Sequence, residues 1–129
     1  MRKSARRSSG ASAVATGYTI VWNQAAVIEF NGIKEAKART KIMTVAELLR
    51  QIGPKLVEPH CKKVQGEQKL FELRPGGGKL LLRPLFARAD DRTFIVLAIA
   101  PEAVTDKSGF DSARKRSRTR ALADHDLVV

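Results

Sequence analysis

Three β-type runs, Lys69–Arg74, Lys79–Arg83 and Thr93–Ala100, follow one another with turns at Gly76-Gly77-Gly78 and at Arg88–Arg92. Connections this short leave no room for a crossover helix, so they predict an antiparallel three-strand meander. Pro75 and Pro84 have no N–H for a ladder and are expected at a strand end, a bulge or an edge. Side chains alternate across a strand, which sends Leu73 and Arg74 to opposite faces, and likewise Leu82 and Arg83. Each arginine is therefore expected on one side of a sheet while leucines fill the other. Cations fixed on strands make an anion-binding face, and phosphate, hence RNA, is the anion that suits it.

Upstream, Gly17–Trp22 is a β-branched and aromatic run after a glycine, a strand signal. From Gln24 the pattern turns helical through Ala25, Val27 and Ile28, and Asn31-Gly32 reads as a break. Ile42, Val45, Leu48, Leu49 and Ile52 then mark one face of a helix that Gly53-Pro54 ends. The Thr44–Glu47 capping box leaves open whether this is one helix or two broken near Met43. Residues 111–123 are helix-compatible and strongly cationic. The element order predicts an α+β fold: an N-terminal strand, two helices, an antiparallel three-strand meander and a C-terminal helical segment. Residues 1–16 are expected as a disordered basic arm, 17–123 as a single domain and 124–129 as a tail.

The chain has 129 residues, a formal net charge of +11 and only 5% aromatic residues. The core must therefore be built from Leu, Ile, Val and Ala, and the aromatic platforms of many single-strand binders are scarce. The basic excess sits mainly at the two ends, and the centre is mildly basic. Such a balance favours a polyanion through counterion release, or an acidic protein partner. The single cysteine, Cys61, excludes an intramolecular disulfide and a cysteine-based zinc cluster, which fits a reducing cytosol. No apolar run reaches the length of a membrane span, and no metal or small-molecule cofactor is called for.

Residues Lys62-Lys63-Val64-Gln65-Gly66, Leu70-Phe71-Glu72-Leu73-Arg74, Gly78-Lys79, Leu82-Arg83, Leu85-Phe86 and Phe94–Ala98 occur in an order and spacing that resembles the RelE/ParE superfamily of bacterial toxins, nearest to its HigB-like, phage-associated branch. They match that family's lysine-rich turn, its "ELR" strand, its glycine turn with the following "R-hydrophobic" strand, and its last core strand. The likeness runs over about residues 18–120. It implies a small cytoplasmic toxin of a type II toxin–antitoxin system. In the RelE and HigB branches such a toxin cleaves messenger RNA in the ribosomal A site and is neutralised by an antitoxin protein. Partners implied are therefore an antitoxin, mRNA and the ribosome.

Those toxins use cationic side chains where other ribonucleases use histidines. Attack of a 2′-hydroxyl on the adjacent phosphodiester builds charge on the nonbridging oxygens, and preorganised Arg and Lys donors stabilise that state above the ground state. By the resemblance, Arg74 holds the scissile phosphate, Arg83 supports it and Lys63 stands beside them as donor or proton carrier. Lys62, Lys79, Lys107, Arg114 and Arg116 are the expected RNA contacts. Arg83 alternatively reads as an interior-edge arginine tying the sheet to the C-terminal segment, and Arg74 as paired with Glu72.

One departure stands out. After the last core strand the family carries an aromatic residue, a basic pair and a basic or tyrosine-bearing segment, whereas here the run is Ile99–Lys107 with no such pair. Lys107 substitutes if the loop curls back. His60 lies beside the lysines, although a lone loop histidine is usually just exposed, and Cys61 reads as an inert, partly buried thiol. Two other functions stay open: a noncatalytic module of the same fold, such as a ParE-like gyrase inhibitor or a phage protein binding a host factor, and a plain nucleic-acid binder using the cluster at 114–120.

Overall fold

The computed structural model describes residues 17–129, so the basic arm expected at 1–16 lies outside the described residues. The chain runs β1 (Thr19–Trp22), α1 (Gln24–Asn31), α2 (Ala36–Ile52), β2 (Cys61–Lys63), β3 (Phe71–Leu73), β4 (Leu82–Asp90), β5 (Thr93–Pro101) and α3 (Lys107–His125). One five-stranded sheet has the order β1-β5-β4-β3-β2. β1 lies parallel to β5, and the other neighbours are antiparallel. The mixed α+β architecture and the meander are as the sequence predicts.

Three details differ. The meander gains a fourth strand, β2, whose Cys61-Lys62-Lys63 has too little apolar alternation to read as one. The expected strand at Lys79–Arg83 is displaced, because Gly76 and Gly77 at φ 64° and 66° coil the chain into a tight turn and β4 starts only at Leu82. α2 is continuous through Met43: the Thr44 hydroxyl donates to the Thr40 carbonyl at 2.9 Å inside the helix instead of capping a new one.

Pro84 lies within β4, opposite Ile99 of β5. Pairing of β3 with β4 ends at Glu72↔Leu85, so the missing N–H of Pro84 falls where β4 has no second neighbour. Gly53 ends α2 at φ 68°, and a Cβ there would overlap the Tyr18 ring, so the α2 stop and the entry to β1 are locked together.

The sheet separates two apolar layers. Ala26, Val45, Leu49, Cys61, Leu73, Phe86, Phe94 and Val96 form the layer shared with α1 and α2. Val64, Leu70, Leu85, Ala87, Ile95, Leu97, Phe110, Ala113 and Ala121 form the one shared with α3. α3 extends to His125, and Leu127 and Val129 pack on that second layer. Period-two alternation puts Lys62, Glu72, Arg74 and Arg83 on the α3 side, since Lys62 is opposite Glu72 and Glu72 is opposite Leu85.

Candidate functional site

A cleft of about 440 Å³ opens where β2 and β3 meet the loop after β5 and the first turns of α3. Lys62, Lys63, Arg74, Lys107 and Arg114 line it, together with Glu72, Glu102 and Asp111. Five of the eight cations expected from sequence thus come together. Lys62 and Lys63 are exposed, and among the described residues neither has an ion-pair partner within 4 Å. Adjacent residues on a strand face opposite sides, so Lys62 stands on the cleft face of the sheet, while Lys63 reaches the rim from the exposed edge.

Register changes the order of importance of the two lysines. Lys62 is opposite Glu72 across the β2–β3 ladder, whereas Lys63 is opposite Phe71. The residue facing Glu72 is therefore Lys62, although Lys63 still lines the rim. Arg74, at the end of β3, keeps 26% of its side chain exposed, and its Nε lies 3.4 Å from Glu72 Oε1 while Nη1 lies 3.6 Å from Glu58 Oε2.

Arg83 corrects the expectation of direct phosphate contact. Its side chain is 1% exposed. Nη2 donates to Glu102 Oε2 at 3.1 Å, Nη1 donates to the Leu80 carbonyl and to Leu82 O at 3.2 Å, and Nε lies 3.6 Å from Glu72 Oε1. It is the interior-edge arginine of the alternative reading, fixing the two cleft carboxylates from beneath. Burial draws its pKa down, opposed by Glu72, yet a guanidinium stays charged.

Glu72 is moved in the opposite direction from Asp111, the acid across the cleft. Burial pushes its carboxyl above the usual carboxylate range, against the pull of Arg74, Arg83 and Lys62 and with the help of Glu102. Two buried N–H groups, Nε of Arg74 and Nε of Arg83, have no hydrogen-bond partner within the described structure, and both flank Glu72 Oε1 at ion-pair distance. Sequence reading treated Glu72 only as a partner of Arg74. The signal was there: Glu72 and Arg74 are two apart on a strand and so share a face.

Two other expected contacts lie elsewhere. Lys79 is exposed in the turn before β4 and does not line the cleft. Arg116 reaches away to Glu29 of α1 at 3.1 Å, and Arg120 joins the same Oε2 at 2.7 Å while Glu29 Oε1 accepts from the Ile99 amide at 2.9 Å. Arg114 lines the cleft but is held, its Nη2 donating at 2.8 Å to the buried Glu67, which Arg118 also engages, and its Nη1 donating to Asp111 at 3.2 Å. Lys107 bridges to Asp111 at 3.1 Å and is widely exposed. Four of the five cations at 114–120 are thus tied to Glu29 and Glu67, which offset two of the five charges, and Lys115 is not among those held.

His60 faces the α2 side, lining a groove with Lys41, Leu48 and Gly76 away from the cationic cleft. His125 bonds Asn23 through Nε2 at 3.1 Å. Cys61 is buried, and burial together with Glu72 pushes its thiol up to about 12, so it carries little thiolate at neutral pH. Among the described residues no cluster of three or more His, Cys, Asp or Glu is arranged to hold a metal, and no helix is long and apolar enough to cross a membrane.

No curated protein matches the chain by sequence. Among solved structures, it is similar to a mutant of E. coli toxin RelE in the free state, at 15% identity and a TM-score of 0.56, covering 78% of this chain and 97% of that one. It is also similar to a chain of the toxin–antitoxin complex RelBE2 from Mycobacterium tuberculosis, at 18% identity and a TM-score of 0.52, covering 67% and 99%. At such identities the likeness is one of fold. The family model described as "Phage derived protein Gp49-like (DUF891)" matches residues 31–117. With most of its length matched, from the end of α1 to the middle of α3, the chain belongs to the Gp49-like family of phage-derived proteins.

Proposed function

We propose that this protein is the toxin of a type II toxin–antitoxin pair and a ribosome-dependent mRNA endoribonuclease acting in the cytoplasm. The observation that carries the reading is the cleft itself: a part-exposed Arg74 flanked by Lys62, Lys63 and Lys107, on a fold shared with RelE toxins. Lys62 and Lys63 neutralise the RNA backbone at the edge strand. Arg74 donates to the scissile phosphate as charge develops on its oxygens. Arg83, the third member of the set implied by the family, acts at one remove by fixing Glu72 and Glu102.

Arg74→Ala should abolish growth inhibition and translation-dependent transcript cleavage while the protein stays folded. Loss of one such donor costs on the order of 2.7–4 kcal/mol, or roughly 10²–10³ in rate. Unchanged toxicity would remove the nuclease reading.

One observation favours a second reading, a noncatalytic module that binds a protein target. Each guanidinium at the cleft already has a carboxylate partner, Arg74 with Glu72 and Glu58, Arg83 with Glu102, and Arg114 with Glu67. Toxicity that persists without any transcript cleavage would select it. An antitoxin partner belongs to both readings, and RelBE2 is a toxin–antitoxin complex.

A further inference from the structure

We propose that Glu72 is the proton acceptor of the cleavage reaction, taking the hydrogen of the attacking 2′-hydroxyl. This rests on the nuclease reading and adds the residue that reading lacks. Lysine and arginine donors stabilise a phosphorane, but protonated they cannot accept a proton, and the only histidines, His60 and His125, lie outside the cleft.

The geometry points to Glu72 in three ways. It lines the cleft with its side chain 13% exposed, open enough to meet a ribose and closed enough to be desolvated. It stands two residues before Arg74, which directly follows β3 and brings its Nε to 3.4 Å from Glu72 Oε1, so a phosphate held by Arg74 brings the adjoining ribose toward Glu72. The Nε atoms of Arg74 and Arg83 approach Oε1 at 3.4 and 3.6 Å, close enough to orient the carboxylate without consuming it in a hydrogen bond. The groups facing it are Lys62 from β2, Cys61 beside it, Arg74 on β3, Arg83 from β4 and Glu102 from the loop after β5, with Asp111 and Arg114 of α3 across the cleft. Desolvation raises its pKa toward the range in which a carboxylate accepts protons effectively.

In the step, the 2′-O–H proton passes to the Glu72 carboxylate as the 2′-oxygen bonds to phosphorus. The P–O5′ bond breaks, and the departing 5′-oxygen takes a proton from the Lys62 ammonium. The products are a 2′,3′-cyclic phosphate and a 5′-hydroxyl end. Glu72 then returns its proton, and Lys62 regains one, by exchange with water.

The test is single-turnover cleavage of a defined mRNA on programmed ribosomes across pH 5–8, using the full chain as wild type, Glu72→Gln, Glu72→Asp and Arg74→Ala. For wild type the rate should rise with pH through an inflection above the ordinary glutamate range. Glu72→Gln should cut the rate about 10²–10⁴-fold and abolish that inflection, with affinity for the ribosome–mRNA complex within threefold. Glu72→Asp should keep the inflection at a rate reduced at least tenfold, and it decides the matter if the Gln variant does not fold. Glu72→Gln within tenfold of wild type, an inflection that survives it, or a fully active Glu72→Asp would overturn the assignment. If Arg74→Ala still abolishes cleavage, the nuclease reading stands without it. A wild type that cuts no transcript removes both.

Discussion

The β2 edge and helix α3 carry the same kind of charge and use it in opposite ways. On α3, Arg116 and Arg120 converge on Glu29, and Arg114 and Arg118 converge on Glu67, so four guanidiniums are spent binding the helix to α1 and to the β2–β3 loop. On β2, Lys62 and Lys63 are exposed and have no carboxylate within ion-pair distance among the described residues. Arginine's planar fork suits multidentate pairing, whereas lysine is a strongly hydrated point charge on a flexible stem. A net charge of +11 is therefore a poor guide to where a polyanion would bind. What matters is which cations lack an internal acid.

The sharpest way to break this contrast is at Arg83, the arginine buried most deeply under the cleft. Arg83→Met should cost about 3–5 kcal/mol in urea unfolding, because it leaves Glu72 and Glu102 without their shared cation. A loss below about 1 kcal/mol would mean that the arginine is dispensable to the fold. Gly53→Ala, which touches neither region, sets the scale for a purely steric defect. At φ 68° against the Tyr18 ring it should cost about 1–3 kcal/mol in the same assay and leave RNA binding untouched.

Glu29 sharpens the α3 side. Burial alone would raise its pKa, but the Arg120 hydrogen bond, the Ile99 amide and the charges of Arg116 and Arg120 outweigh it and hold the carboxyl below its ordinary value. A folded pKa below the unfolded one means that Glu29 contributes its stability above the unfolded value and loses it as pH falls through the folded one. Glu29→Gln should therefore cost about 1–2 kcal/mol at neutral pH and flatten the acid limb of the stability profile. The smallest effect on stability belongs to the other region: Lys62→Ala and Lys63→Ala should each change it by less than about 0.5 kcal/mol. Each should lower the salt slope of RNA binding by about one phosphate contact.

Helices and the central strands were legible in the sequence because their signals are local. Ile42, Val45 and Leu49 recur at helical spacing and all are buried, and Phe94–Ala98 is a continuous apolar run that becomes the middle of the interior strand β5. β2 was not legible, since three residues with two lysines owe their extended form to the β3 partner and not to their own propensity. The strand expected at Lys79–Arg83 was misplaced because the glycine turn continues to Leu80, whose amide bonds to the Pro75 carbonyl at 3.3 Å. The candidate site divided in the same way. Lys62, Lys63, Arg74, Lys107 and Arg114 meet in one cleft, as their order along the chain implied. The fates of Arg83 and Arg116 depend on Glu102 and Glu29, the latter 87 residues from Arg116, and no local pattern reveals such a pairing.

A charge-matched comparison tests the contrast most directly. Two cations are removed from each region, as Lys62→Ala with Lys63→Ala and as Arg116→Ala with Arg120→Ala, and ribosome-dependent transcript cleavage per folded molecule is measured for both. The β2 pair should lose at least tenfold in cleavage with an unchanged melting temperature, and the α3 pair should melt several degrees lower with cleavage unchanged. A β2 pair that cleaves like wild type, beside an α3 pair that stays as stable as wild type and does not cleave, would move the nucleic-acid surface to α3 and contradict the account.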